Sequence, residues 1–295
     1  MKADQVAAGI ACIVAAMACL AIHDTTNKLL ISTLPPVLVL WFRFMFQVLA
    51  TTPSLLYPSA RLLMRTRQPR LQLLRGLLLL VCSGLAILSL QRMPVAEFTA
   101  IACLTPLALT VLARFAMKEQ VSGKRWLLVA GGLIGALIIV RPGGALEWRF
   151  AWLPLLMVAF YAIYQTLTSF MTRVESPMTT HFYTGWVCAS ALSVLALGHG
   201  FVDLTANQLL QLLLLGLAGT LGQYLMILAF SKAPASTVSP YLYTSIAFAT
   251  LAGWFVFGQI PDALASLGML VIAVCGLGAG WLSVKEQGAQ SKELA

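Results

Sequence analysis

Charge is scarce in this chain. Of its 295 residues only 10% are Asp, Glu, Lys or Arg, and only 10 are acidic, where soluble domains carry about 25% charged residues. A water-soluble fold cannot hide what takes their place, 60% hydrophobic residues and a mean hydropathy of +0.88. Chemical signatures are missing as well. There is no HExxH, no GxSxG and no glycine loop ending in GK[ST], which argues against a metalloprotease, a serine hydrolase and an ATP-driven pump. The six cysteines (Cys12, Cys19, Cys82, Cys103, Cys188, Cys275) stand singly in apolar runs, with no CxxC pair and no histidine at ligand spacing. They read as small packing residues, and neither a metal nor a cofactor is expected.

What is present is a series of long apolar runs. Ten approach the roughly 20 residues needed to cross a hydrocarbon core: 6–31, 37–57, 73–90, 95–116, 122–140, 150–171, 178–198, 208–230, 235–257 and 263–283. Lys124 and Arg125 shorten the apolar part of the fifth. Backbone polar groups find no water in lipid, so these runs predict helices. None shows the alternating ten-residue pattern of a membrane barrel. The first run follows Lys2 and resembles a secretory signal, but nine further runs make it a retained helix.

The chain also repeats itself. AIHDTTNK at 21–28 matches AIYQTLTS at 162–169, and Pro36 matches Pro177, both at an offset of 141; Arg92 and Pro94 match Lys232 and Pro234 at 140. Two halves, 1–145 and 146–295, then hold five spans each. An odd number of crossings puts the second copy upside down relative to the first. Inverted repeats of this kind characterise secondary transporters. The predicted fold class is an all-α integral membrane protein of ten transmembrane helices in two inverted five-helix repeats.

Charge placement sets the orientation. With a cytoplasmic N-terminus, Lys2, Arg61, Arg65, Arg67, Arg70, Arg75, Arg114, Lys118, Lys124, Arg125, Arg173, Lys232, Lys285 and Lys292 lie inside, against Arg92, Arg141 and Arg149 outside. This follows the positive-inside rule and puts both termini in the cytoplasm of a bacterial-type inner membrane. The net charge of +9 then points to anionic lipid rather than nucleic acid. The loops are too short for a soluble domain, and the tail KEQGAQSKELA after the last run reads as a frayed polar end.

The stretch 93–143 carries Pro94 at a helix start, Pro106 within that helix, Glu119 at its cytoplasmic end and a glycine-rich helix closing on Gly143. It resembles the end of the EamA repeat of the drug/metabolite transporter superfamily. The second copy, Pro234 to Gly280, has the same layout but carries Gln259 for Glu119 and Ile246 for Pro106. Within the superfamily the chain is similar to YddG-type amino-acid exporters. The resemblance implies export of small amphipathic solutes, with aromatic or hydrophobic amino acids as the expected class. Other metabolites or drugs are the alternative; a membrane-embedded enzyme is disfavoured.

The copies differ at candidate site residues. His23, Asp24, Lys28, Arg43 and Glu97 sit inside spans of the first copy; their partners in the second, Tyr164, Gln165, Ser169, Thr184 and Thr237, are neutral. A charge near a helix centre costs about 2.5–3.5 kcal/mol on insertion scales, so such groups face a cavity or one another. Asp24 and Lys28, four apart, can pair on one face, and Arg43 can grip a carboxylate in a forked geometry. The competing reading is a static network that locks helices together. Thr237, Tyr241 and Ser245 form an i, i+4 face of the ninth run, expected to line the cavity beneath a layer of aromatic and amide groups. Pro106 and Pro240 break backbone bonding and allow kinks. Gly131, Gly132, Gly135, Gly276 and Gly280 permit close helix contact, making the fifth and tenth runs supports, or a seam if the chain is a homodimer rather than a monomer. The expected partners are a small-molecule substrate and membrane lipid.

Overall fold

The structure, a computed structural model, describes residues 3–53, 66–92, 98, 101–140, 150–196, 203–258 and 262–293. Those residues form α1 (Ala3–Leu30), α2 (Pro36–Thr51), α3 (Pro69–Arg92), α4 (Thr105–Phe115), α5 (Gly123–Val140), α6 (Trp152–Met171), α7 (Pro177–Ala196), α8 (Ala206–Lys232), α9 (Ala235–Val238), α10 (Thr244–Phe257) and α11 (Ala263–Glu293). A 3₁₀ turn, Ser239–Tyr243, joins α9 to α10, so these three pieces make one broken span. The fold is all-helical, with no strand among the described residues. Asp4–Leu30, Pro69–Ser89, Trp152–Met171 and Ala206–Lys232 are each long and apolar enough to cross a bilayer alone. Glu97, Arg61, Arg65, Arg141, Arg149, Trp148 and Gln259 lie outside the described residues.

Local chemistry sets the ends. Pro35 and Pro36 stop α1 and open α2, because the residue before a proline is pushed out of the helical region and proline suits a first helical position; Pro35 caps α2 at φ −57°, ψ 130°. Thr205 and Gln208 exchange hydrogen bonds in a capping box at the start of α8. Gly258, at φ 66°, closes α10 in a left-handed cap whose N–H bonds to Trp254 at 2.9 Å. The polar tail departs from expectation. Rich in Glu, Gln, Ala and Lys, it continues α11 to Glu293 instead of fraying.

Helix pairing carries the internal symmetry. α1 packs on α8 as α6 packs on α3; α1 packs on α10 as α6 packs on α4; α2 packs on α8 as α7 packs on α3. The remaining major pairs, α2 with α7 and α5 with α11, join equivalent helices of the two copies. α5 and α11 approach closely at Gly135 and Gly268, where an added Cβ would come within 3.0 Å and 2.7 Å of the facing carbonyl oxygen. Gly135 therefore has Gly268 as its partner, while Gly131 faces Cys275 and Gly132 seats the Tyr243 ring. The small-residue face is spent within the chain.

Both proline-marked spans are interrupted. Before α4 the chain turns at Cys103–Leu104, and Pro106 sits in the first turn of the new helix rather than inside a continuous one. Pro240 lies in the 3₁₀ turn. The two breaks meet: Thr110 Oγ1 and Ser239 Oγ are 2.7 Å apart and both residues are fully buried.

Candidate functional site

The side that carries residue 3 and the end of α11 is called the near side here, and the opposite one the far side. On the near side, carboxylates tie loops together. Glu119 accepts hydrogen bonds from the backbone N–H of Ala235 (3.3 Å) and Ser236 (3.0 Å) and from Arg173 Nη2 (3.1 Å). Lys118, at φ 55°, turns the chain just before it. Glu175 accepts from the Thr66 hydroxyl, from the N–H groups of Arg67 (2.7 Å) and Gln68 (3.1 Å), and from Gln72 (2.5 Å). Arg125 reaches Ser236 Oγ at 3.1 Å.

α1 shows where the bundle opens. At 3.6 residues per turn, Met17, Asp24 and Lys28 lie within about 40° of one another. The near-side part of that stripe, Val6, Ile13 and Met17, is buried in the core. Its far-side part is exposed, Asp24 with 72% of its side chain accessible and Lys28 also open. The lipid-facing stripe of the same helix, Ala7, Ala11, Ala15 and Ile22, is exposed on almost the opposite face. Asp24 and Lys28 are therefore exposed on a face of α1 that is buried towards the near side.

One residue before Asp24, at His23, α1 meets α2 and α8 around Gly219. A Cβ on Gly219 would lie 2.8 Å from His23 Cδ2, 3.4 Å from His23 Nε2 and 3.2 Å from Arg43 Nε. Both nitrogens are buried and neither has a hydrogen-bond partner. Asp24 pairs with His23, its neighbour in the chain, at 2.9 Å. A carboxylate only accepts, so His23 Nδ1 carries the proton and Nε2 presents its lone pair in the neutral ring. Arg43 rests over the Phe44 ring at 4.8 Å.

A second constellation lies deeper, where α3 meets α6 and α7. Arg75 is 0% exposed. It donates to Thr168 Oγ1 (2.9 Å), Tyr164 Oη (3.3 Å), the carbonyl of Thr180 (2.5 Å) and the Thr184 hydroxyl. Its guanidinium carbon is 5.2 Å from the centre of the Tyr164 ring. Among the described residues it has no ion-pair partner, and its Nε has no acceptor. The Tyr164 hydroxyl also accepts from Gln223, and its ring stacks on Tyr161 at 5.7 Å and 23°. Gln165 donates to Met226 Sδ at 3.0 Å and leaves Oε1 unpartnered.

Other candidates are placed differently. Tyr241 is 5% exposed and belongs to the apolar cluster of Val6, Ile13, Met17, Leu109 and Met226, so its ring packs helices. Thr237 is buried beside it, and Ser245 bonds back to Leu242 at 2.8 Å. Arg75 was expected at the lipid headgroups with Arg125; both are buried. Its position inside the run 73–90 was the signal for a buried charge. Gln47 and His181, also unsignalled, join α2 to α7 through a 2.8 Å bond to the His181 carbonyl. A separate cleft of about 380 Å³ between α2, α7 and α8 is lined mainly by apolar groups, with His181 and Thr220 among them.

An all-helical bundle of two repeats with arginines and hydroxyls buried between its helices is the architecture of a membrane transporter. The sequence pattern of the EamA-like transporter family matches residues 7–141 and again 148–278, and the chain belongs to that family. It is 28% identical over 273 residues, 92% of either chain, to the S-adenosylmethionine uptake transporter of Rickettsia bellii (strain RML369-C). It is 30% identical over 218 residues to the riboflavin transporter of Rhizobium johnstonii, covering 72% of this chain and 71% of the other. A solved crystal structure with 15% identity superposes with a TM-score of 0.80 over 96% of this chain and 98% of its own, a likeness of fold. The chain is a multi-pass membrane transporter and not an enzyme.

Proposed function

We propose that this transporter carries amphipathic, carboxylate-bearing metabolites of amino-acid type by alternating access between its two repeats. One observation carries the reading: the Arg43 Nε–H is buried and unpartnered at the crossing of α1, α2 and α8 marked by Gly219, on the half of α1 that carries Asp24 and Lys28. Buried polar atoms are normally satisfied, and a half-buried guanidinium whose inner Nε–H meets no acceptor invites an anion. A solute carboxylate fits Arg43, and Asp24 at the mouth suits its ammonium group. Tyr161, Tyr164 and Gln165 offer rings and an amide to the rest of the molecule.

The similarity to S-adenosylmethionine uptake transporters supports this class, since that molecule joins an amino-acid head to a large flat ring. It also moves the expected substrate from plain amino-acid export towards bulkier zwitterions, with net direction set by the solute gradient. The far side is then the outside and the near side the cytoplasm of an inner membrane.

The test is counterflow in liposomes with S-adenosylmethionine, L-tryptophan, L-tryptophanamide and riboflavin. The expected result is flux of one or both carboxylate solutes, reduced about tenfold or more per folded molecule by Arg43→Gln, the scale of a lost charge-assisted hydrogen bond. Riboflavin flux alone, or wild-type rates in Arg43→Gln, refutes the reading.

A further inference from the structure

The Arg75 constellation stands in a definite relation to the His23–Arg43 crossing. With the repeat offset of 141, His23 corresponds to Tyr164 and Arg43 to Thr184. Arg75 makes hydrogen bonds to both of those residues. The helices agree: α8 crossing α1 and α2 at the first place is the pseudo-symmetric equivalent of α3 crossing α6 and α7 at the second. The two places are therefore mates under the internal symmetry. Inversion sends one towards the far side and the other towards the near side. Arg43 is seven residues from the far-side start of α2 and Arg75 six from the near-side start of α3, depths of about 10 Å and about 9 Å at 1.5 Å per residue. Each place holds one guanidinium. In the first it comes from α2; in the second α2's counterpart supplies only Thr184, and α3 supplies the charge.

The chemistry at the second place is short of acceptors. Hydroxyls and one carbonyl are all that face Arg75, and its Nε–H faces none. With the Gln223 amide oriented as found, the Tyr164 hydroxyl accepts from both Gln223 and Arg75, so its own proton is left for a further acceptor. Glu175, the carboxylate that follows α6 on this side, is engaged by Thr66, Arg67, Gln68 and Gln72. Arg75's partners Thr180 and Thr184 belong to α7, and Tyr164 and Thr168 to α6, whereas Arg75 itself belongs to the first repeat. Any rocking of one repeat against the other that opens the near side works on these bonds.

We propose that Arg75 is a second carboxylate-binding station, the near-side mate of Arg43, to which the solute passes as the carrier turns over. When α7 moves from α3, the solute carboxylate replaces Thr180 O and Thr184 Oγ1 on the guanidinium and accepts from the Tyr164 hydroxyl, while the Tyr161–Tyr164 pair keeps contact with the apolar part. This rests on the carboxylate reading above and adds a residue to it.

The experiment compares L-tryptophan or S-adenosylmethionine, whichever the wild type moves faster, with its carboxamide in Arg75→Gln and Arg75→Lys. Counterflow is read in liposomes and binding in detergent. Arg75→Gln is expected to lower carboxylate flux about tenfold or more while binding in detergent to the far-side-open form stays within roughly threefold. Carboxamide flux stays near wild type, and Arg75→Lys recovers part of the carboxylate flux. Equal losses for carboxylate and carboxamide make Arg75 a structural strut and overturn the inference, as does wild-type carboxylate flux in Arg75→Gln. If Arg75→Gln does not fold, Arg75→Lys decides: an unchanged carboxylate-to-carboxamide flux ratio overturns the proposal. Loss in Arg43→Gln with none in Arg75→Gln sinks the second station alone; no carboxylate flux in the wild type sinks both.

Discussion

At the scale of single residues, the membrane interior sorts side chains by whether their polar atoms are satisfied. Tyr241 and Tyr164 make the contrast. Tyr164 has its hydroxyl in a network of Arg75 and Gln223, whereas Tyr241 contributes its ring to the apolar contact of α1, α4 and α8. Tyr241→Ala is therefore expected to destabilise the fold by about 3 kcal/mol, the usual result of truncating a buried aromatic. It should lower flux per milligram in proportion for every solute, measurable as a fall in melting temperature alongside an unchanged selectivity ratio. A shift in selectivity at wild-type stability would put Tyr241 in the binding site. Sequence alone did not separate these two tyrosines, because the i, i+4 face shared by Thr237, Tyr241 and Ser245 assumes a continuous helix. The 3₁₀ turn at Ser239–Tyr243 interrupts that helix, leaving Thr237 and Tyr241 buried and Ser245 half-buried.

At the scale of elements, the breaks and ties matter more than the spans. Prolines made the interruptions legible in advance, since a missing N–H and a clash with the preceding turn leave few alternatives. Less legible was what the interruptions would touch. Glu119 shows this: the sequence placed it at the end of the fourth run, and the structure sets its carboxylate on the first N–H groups of α9, with Arg173 of the next loop beside it. A carboxylate there satisfies unpaired donors and faces the positive end of the helix, worth about 1 kcal/mol. Glu119→Gln is expected to loosen the near side. A membrane-impermeant maleimide applied from that side should label Ser236→Cys several-fold faster in the Glu119→Gln background, by roughly the factor that 1 kcal/mol implies. Equal labelling rates would show that the tie does not hold the near side shut. Arg75 escaped for a related reason: counting basic residues by run boundaries sends a charge near a helix start to the lipid surface, and only the packing of α6 and α7 reveals that it is enclosed.

At the scale of the whole molecule, the paired repeats and the ten runs were readable because the bilayer leaves helices as the only answer to so apolar a chain, and an offset near 140 is visible in the letters themselves. The charge pattern predicts the orientation. Reporters fused after Ala295 and within 143–149 are expected to score cytoplasmic and external respectively; matching scores would contradict ten crossings. The proline breaks carry one more consequence. Pro106 corresponds in register to Ile246, and Pro240 to Ala100, so the two halves set their prolines six residues apart and break their helices with different chemistry. A carrier with identical halves would have two end states of equal energy and would idle equally between them. This one cannot. Its empty form is expected to have a preferred resting side, and a solute arriving from the other side must first supply the free energy of that bias as a weaker apparent affinity.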